Sequence, residues 1–166
     1  RNICLVANGE IYNYQELRSR LASLGHQFNT RSDCETIIHL YEQYGKDCVN
    51  HLEGMFAFAL WDADRQRLLL ARDRFGIKPL YVARFKDGIC FASEATAITD
   101  SGLLEKRIDS QALHAYLAFS CVPGSMCIFK GLDKLQPAER IVFDRGDAAR
   151  DIYWHPKAVN VSRKKS

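Results

Sequence analysis

Met55-Phe56-Ala57-Phe58-Ala59-Leu60-Trp61 is the stretch that decides the architecture. Its residues are apolar at successive positions, so no alternation gives one face to water, and a strand of this kind is covered on both sides. Arg67-Leu68-Leu69-Leu70-Ala71-Arg72 repeats the pattern. Joined by Asp62-Ala63-Asp64-Arg65-Gln66, the two runs read as a hairpin buried on most of its surface. Leu80 to Phe85 and Ile89 to Ala92, linked by Lys86-Asp87-Gly88, read as a second hairpin, and a last strand is expected near Arg140 to Phe143, beyond an irregular stretch after Pro123-Gly124.

On the N-terminal side the apolar period lengthens. Leu17, Leu21 and Leu24 recur at helical spacing behind Asn13 and Glu16, which have capping-box spacing. Ser32-Asp33-Cys34-Glu35 opens a longer helical pattern through Ile37, Leu40, Tyr41, Tyr44, Cys48 and Leu52, with Ser32 and Glu35 as a second box. Ser93 to Ile98 starts a short helix, and Asp109-Ser110 caps another through Leu113 and Leu117. Early helices and later hairpins with two-faced strands predict stacked antiparallel sheets covered by helices, an α+β sandwich.

Leu5-Val6-Ala7 reads as the end of a strand that breaks at Asn8-Gly9-Glu10. Asn-Gly favours a hairpin turn, but a helical segment follows instead of a second strand. A strand, Asn-Gly-Glu and a helix in succession present a side-chain amide and free backbone N–H groups at an edge, the kind of donor set that stabilises an oxyanion.

The 166 residues are 47% hydrophobic and 26% charged, a soluble globular composition sufficient for one domain. The net charge of +3 is concentrated at Arg163-Lys164-Lys165, which leaves no basic face for nucleic acid. No apolar run approaches a membrane span and no signal layout opens the chain, so the expected compartment is cytoplasmic. The six cysteines, Cys4, Cys34, Cys48, Cys90, Cys121 and Cys127, form no C-x-x-C pair and read as buried reduced thiols. Cys34, beside a helix start, has a setting that can lower a thiol pKa, but it lacks an α-amine or histidine partner. His26, His39, His51, His114 and His155 show no ligand or dyad spacing and read as surface or helix residues.

Five ordered motifs carry a family resemblance: Asn8-Gly9-Glu10-Ile11-Tyr12-Asn13, Ser32-Asp33-Cys34-Glu35, Gly54 to Asp62, Ala71 to Tyr81 and Phe91-Ala92-Ser93-Glu94. Together they resemble the glutamine amidotransferase domain of glutamine-hydrolysing asparagine synthetases. Thr96 and Pro137-Ala138 depart from it, where a Lys and a Pro-Gly are common. The resemblance implies a class II, N-terminal-nucleophile fold: a four-layer sandwich of two antiparallel sheets between helices, here incomplete at the N-terminus. It implies that residues 1–153 are a partial amidotransferase domain with its linker and that 154–166 are a polar tail leading toward a synthetase domain.

In such domains an N-terminal cysteine attacks the glutamine side-chain amide, with its own α-amine as base. By resemblance, the Asn8 side-chain amide and the Gly9 backbone N–H form the oxyanion hole, while Glu10 and Asp33 hold the α-amino group of glutamine. Position 1 is Arg, and the Ser-Gly-Gly pyrophosphate loop of a synthetase domain occurs nowhere in the chain. The expectation is therefore a fragment inactive by itself, with no cofactor of its own, and with ATP and magnesium belonging to the synthetase domain of the same polypeptide. Homodimerisation stays open. The alternatives are a non-catalytic remnant or binding module, and the amidotransferase part of a relative acting on another acceptor. An internal Arg72-Asp73 pair ordering the turn that follows is weighed equally with substrate contact. For Asp33, the helix macrodipole accounts for a carboxylate as well as glutamine binding does, and the motif favours the latter.

Overall fold

The computed structural model describes residues 2–86 and 88–157. The turn residue Asp87 and most of the expected polar tail, 158–166, lie outside the described residues.

The elements follow in the order β1 (Ile3–Ile11), α1 (Tyr14–Ser23), α2 (Glu35–Tyr44), a 3-10 turn (Gly45–His51), β2 (Gly54–Asp62), β3 (Arg67–Arg72), β4 (Tyr81–Phe85), β5 (Gly88–Ala92), α3 (Ala95–Asp100), α4 (Ser110–Phe119), β6 (Asp133–Lys134), β7 (Glu139–Asp144) and β8 (Asp147–Ile152). They form a five-stranded sheet in the order β1-β2-β3-β7-β8 and a three-stranded sheet in the order β5-β4-β6. Every pairing is antiparallel.

The two-faced pattern of β2 sorts the layers. Phe56, Phe58 and Leu60 point to one side, where they pack with Leu17 and Leu21 of α1 and with Ile37, Leu40 and Tyr41 of α2. Ala57 and Ala59 point to the other, against Leu80, Val82 and Leu135 beneath the second sheet. Large side chains fill the gap to the helices, and alanines let the sheets approach each other. A third cluster joins Ala83 of β4 to Ile98 of α3 and Leu132, covering the far side of the second sheet. The order helices, sheet, sheet, helix is the expected four-layer α+β sandwich. Burying Phe56, Phe58 and Leu60 to 1% exposure or less contributes at most about 2–3 kcal/mol each.

Several local expectations are overturned. β1 does not end at Asn8-Gly9-Glu10; it runs on to Ile11 in unbroken register, with Asn8 opposite Ala57 and Ile11 opposite Gly54. Neither capping box forms. The Asn13 carboxamide donates to His51 O at 3.0 Å and accepts from Glu53 N at 3.1 Å, holding α1 to the start of β2. Glu35 reaches back past Ser32 to the N–H groups of Asn29 and Thr30, at 2.6 and 2.8 Å. The long helical pattern is two pieces, because Gly45 adopts φ +59° and ends α2 before the 3-10 turn. All six cysteines are free as expected, but only Cys48 and Cys127 are buried. β8 is an unforeseen edge strand, exposed almost throughout. No helix among the described residues is long and apolar enough to cross a membrane.

Candidate functional site

Gly9 sits on the outer strand of the larger sheet, and the ladder fixes where its backbone points. Phe56, its partner across β1 and β2, donates its N–H to Asp73 Oδ2 and accepts from Asp73 N at 2.8 Å, so both its polar groups face β3. In an antiparallel pair, a residue whose partner is bonded to the opposite neighbour has its own N–H and C=O on the outer side. The Gly9 N–H is therefore directed away from β2, over an edge that no other described strand occupies. Two further contacts confirm the parity. Tyr12 N bonds inward to Glu53 O at 2.7 Å, whereas Ile11 N bonds outward to Asp33 Oδ2 at 2.7 Å.

The glycine itself is required by close approach. At φ +153°, a Cβ on Gly9 would stand 2.1 Å from Met55 O, and one on Gly54 would stand 2.1 Å from Glu10 O. The two strands touch backbone to backbone at this end, where a side chain on either position would force them apart.

Asn8 projects from the face turned toward the second sheet. Its Nδ2 donates to Ser93 Oγ at 3.2 Å, which ties β1 to the end of β5. A cleft of about 280 Å³ opens beside it between the sheets, bounded by Val6, Ala57, Ala59, Leu80 and Phe91. Ser93 stood in a sequence motif without a role; its contact with Asn8 spans 85 residues and no local spacing could reveal it.

Glu10 and Asp33 meet at a second cleft, of about 350 Å³, together with Arg31, Tyr12 and Tyr14. Asp33 lies just before α2 rather than in its first turn, and Cys34 takes the cap position. The Asp33 carboxylate is thus fixed by the β1 edge through Ile11 N, and its backbone carbonyl receives both Thr36 N and Thr36 Oγ1. The four expected site residues consequently lie along one strand edge: Asn8 at the inter-sheet cleft, Glu10 and Asp33 at the neighbouring one, and the Gly9 N–H directed outward between them.

The Arg72-Asp73 segment orders the turn after β3, though not by pairing with itself. Asp73, fully buried, accepts from four backbone N–H groups, those of Phe56, Phe75, Ile77 and Lys78. Arg72 donates to the carbonyls of Lys78, Gly76 and Leu135. Burial pulls its guanidinium below the ordinary value, and the adjacent Asp73 opposes that shift. Substrate contact through this pair is not what the geometry offers.

Cys34 is not activated. Burial raises its thiol pKa and the neighbouring Asp33 charge raises it further, opposite to the effect a helix start can have on an exposed thiol.

Comparison with known proteins agrees with this architecture. The glutamine amidotransferase domain family matches residues 1–154. Asparagine synthetase [glutamine-hydrolyzing] 3 of Bacillus subtilis is 38% identical over 153 residues, covering 91% of this chain and 25% of that protein. Asparagine synthetase [glutamine-hydrolyzing] 3 of Arabidopsis thaliana is 50% identical over 101 residues, covering 60% of this chain and 17% of that one. The chain thus spans about a quarter or less of the curated relatives it matches. Among solved structures, the glutamine phosphoribosylpyrophosphate amidotransferase of B. subtilis shares the fold with a TM-score of 0.61 at 21% identity, covering 93% of this chain and 30% of that one. With its sandwich, its outward-facing glycine edge and a family match along nearly its whole length, this chain belongs to the glutamine amidotransferase domain family.

Proposed function

We propose that this chain forms the ammonia-supplying part of a glutamine-dependent asparagine synthetase. The observation that carries the reading is the Gly9 N–H, directed over an edge of β1 that no other described strand occupies, with Asn8 the residue before it on the strand. Two fixed donors at one edge suit the charge that develops on the carbonyl oxygen when a nucleophile adds to the glutamine side-chain amide. The direction of the Gly9 N–H is held by the ladder on either side of it, where Asn8 pairs with Ala57 and Glu10 with Met55. Asn8 is held by Ser93 through one N–H and keeps its second for the oxyanion.

The carboxylates of Glu10 and Asp33, sharing one cleft, suit the cationic α-amino group of glutamine. Asp33 spends one oxygen on Ile11 N and has lone pairs left for a substrate ammonium. Neither Cys34, whose thiol pKa burial raises, nor Cys48, which burial pushes up to about 12, is the nucleophile in this reading. ATP and magnesium serve the synthetase part, and no residue of this chain is assigned to them. Glutamine and that synthetase domain are the partners, and the cytoplasm is the compartment.

The test is an Asn8→Ala substitution in the full-length protein, comparing product formed from glutamine with product formed from free ammonia. Loss of one oxyanion donor should lower the glutamine-driven rate by about 10²-fold to 10³-fold and leave the ammonia-driven rate in place. An unchanged ratio would refute the oxyanion assignment. Equal loss of both rates would make Asn8 a residue of the fold alone.

A further inference from the structure

Among the described residues, one cluster of ligating side chains stands apart from the β1 edge. His26, in the loop after α1, and His39 and Glu42, one turn apart on α2, each bring a ligating atom within 4.8 Å of the other two. Both imidazoles converge on one carboxylate oxygen: His26 Nδ1 lies 3.2 Å and His39 Nδ1 3.0 Å from Glu42 Oε2. All three side chains are largely buried, with 15%, 12% and 22% of their surface exposed for His26, His39 and Glu42. The two nitrogen-to-oxygen separations are close to the edge of a tetrahedron of nitrogen and oxygen ligands about 2.0–2.1 Å from a zinc ion, roughly 3.3 Å.

The far side of each ring is the second observation. His26 Nε2 faces Gln43 Oε1 at 3.2 Å. His39 Nε2 is buried without a hydrogen-bond partner, and the oxygen near it is Glu35 Oε1 at 3.7 Å. Gln43 can turn either end of its amide to His26, whereas the nearest group to His39 Nε2 is a carboxylate, which only accepts. A neutral ring that donates from Nδ1 to Glu42 has none to give at Nε2, so His39 would turn a lone pair toward a carboxylate. A cation bound at both Nδ1 atoms removes this conflict, because each Nε2 then carries its ring's proton. The rings are in contact, 5.2 Å between centroids, so one divalent ion can be shared by both Nδ1 atoms, with the Nε2–H groups directed toward the oxygens of Gln43 and Glu35, the kind of outer partner that metal-bound histidines commonly have.

We propose that His26, His39 and Glu42 form a binding site for a zinc-class divalent metal, with the two Nδ1 atoms and Oε2 as ligands and solvent completing the shell. Three nitrogen and oxygen ligands with histidine in the majority suit zinc and its neighbours better than calcium or magnesium. The ion would clamp the loop after α1 to the outer face of α2 and so brace the helix layer. It is separate from the glutamine reading and needs nothing from it.

The experiment titrates Co²⁺, then Zn²⁺, into the full chain after alkylation of its exposed thiols. The expected result is one Co²⁺ per chain with the visible d–d absorption of a four-coordinate ion and no thiolate charge-transfer band, displaced by Zn²⁺. His26→Ala and Glu42→Gln should each raise the Kd at least tenfold while far-UV circular dichroism stays unchanged. If either variant fails to fold, imidazole ¹⁵N NMR of the unsubstituted chain decides. Zn²⁺ should then shift the Nδ1 resonances of His26 and His39 and leave those of His51, His114 and His155. No binding, a thiolate band, equal affinity in the folded variants, or shifts confined to the other three histidines would each overturn the site.

Discussion

Asp33 Oδ2 accepts the backbone N–H of Ile11 at 2.7 Å, so a carboxylate from the loop before α2 is bonded to the same strand that carries Asn8, Gly9 and Glu10. This contact gives Asp33 a structural role beside the binding role proposed for it, and two substitutions separate the two. In the full-length protein, Asp33→Asn keeps an oxygen for Ile11 N but loses the charge, and is expected to raise KM for glutamine more than it lowers kcat. Asp33→Ala also strands the Ile11 N–H and should cost about 1–3 kcal/mol of stability besides. Steady-state kinetics and a urea titration of each variant check this.

A methyl group at position 9 should be far worse than one at Gly25, another glycine with a positive φ. Gly9→Ala puts Cβ 2.1 Å from Met55 O, whereas Gly25, at φ +94°, has nothing within 4 Å of its would-be Cβ. Gly25→Ala is expected to cost about 1–2 kcal/mol from backbone conformation alone. Gly9→Ala should exceed that by at least about 2 kcal/mol, because the strands must separate. Thermal melts of the two variants side by side give the difference.

Asp73→Ala is expected to be among the most damaging single substitutions outside the apolar core. It leaves four N–H groups without their acceptor in a fully buried position, with a loss of about 3–5 kcal/mol. Asp73→Asn should recover only part of this, since its NH₂ group would face donors. Urea midpoints at pH 7 measure both.

Acid should loosen the loop before α2. Burial tends to raise the Glu35 pKa, but hydrogen bonds from Thr30 and Asn29 and the nearby His39 outweigh it and hold the group below its ordinary 4.5. A carboxyl depressed in the folded state adds stability above its unfolded pKa, and that increment disappears as pH falls through the folded value. Glu35→Gln should therefore flatten the fall in stability below about pH 4.5 relative to the unsubstituted chain. Thermal midpoints recorded from pH 6 to about pH 3 test the slope.

The layer architecture was legible because β2 and β3 are apolar on both faces, a property that local sequence displays without help. The site was legible as a set of residue types but not as a geometry. Asn8-Gly9-Glu10 looks like the end of a strand because glycine and two polar residues have low strand propensity. Pairing with Met55, Phe56 and Ala57 of β2, which lies 45 to 49 positions downstream, is what keeps β1 running through it. Asn13 has the spacing of a capping residue, yet His51 and Glu53 claim both ends of its carboxamide. β8 was missed since Asp147 to Asp151 alternates nothing apolar and owes its conformation to pairing with β7. His26 lies 13 positions from His39, outside any ligand motif, and only the return of the chain from α1 to α2 brings them together.

The bond from Ile11 to Asp33 has one more effect, on what can dock along β1. An edge strand is a ladder with its rungs exposed, and any extended segment of suitable sequence can climb onto it. Here the Ile11 rung is already filled by a side chain that imitates the carbonyl of a neighbouring strand. A segment joining this edge can run beside Gly9 and the residues before it, but it meets a stop at Asp33. The carboxylate thus measures the length of the free edge and leaves the Gly9 N–H as the last exposed donor before that stop.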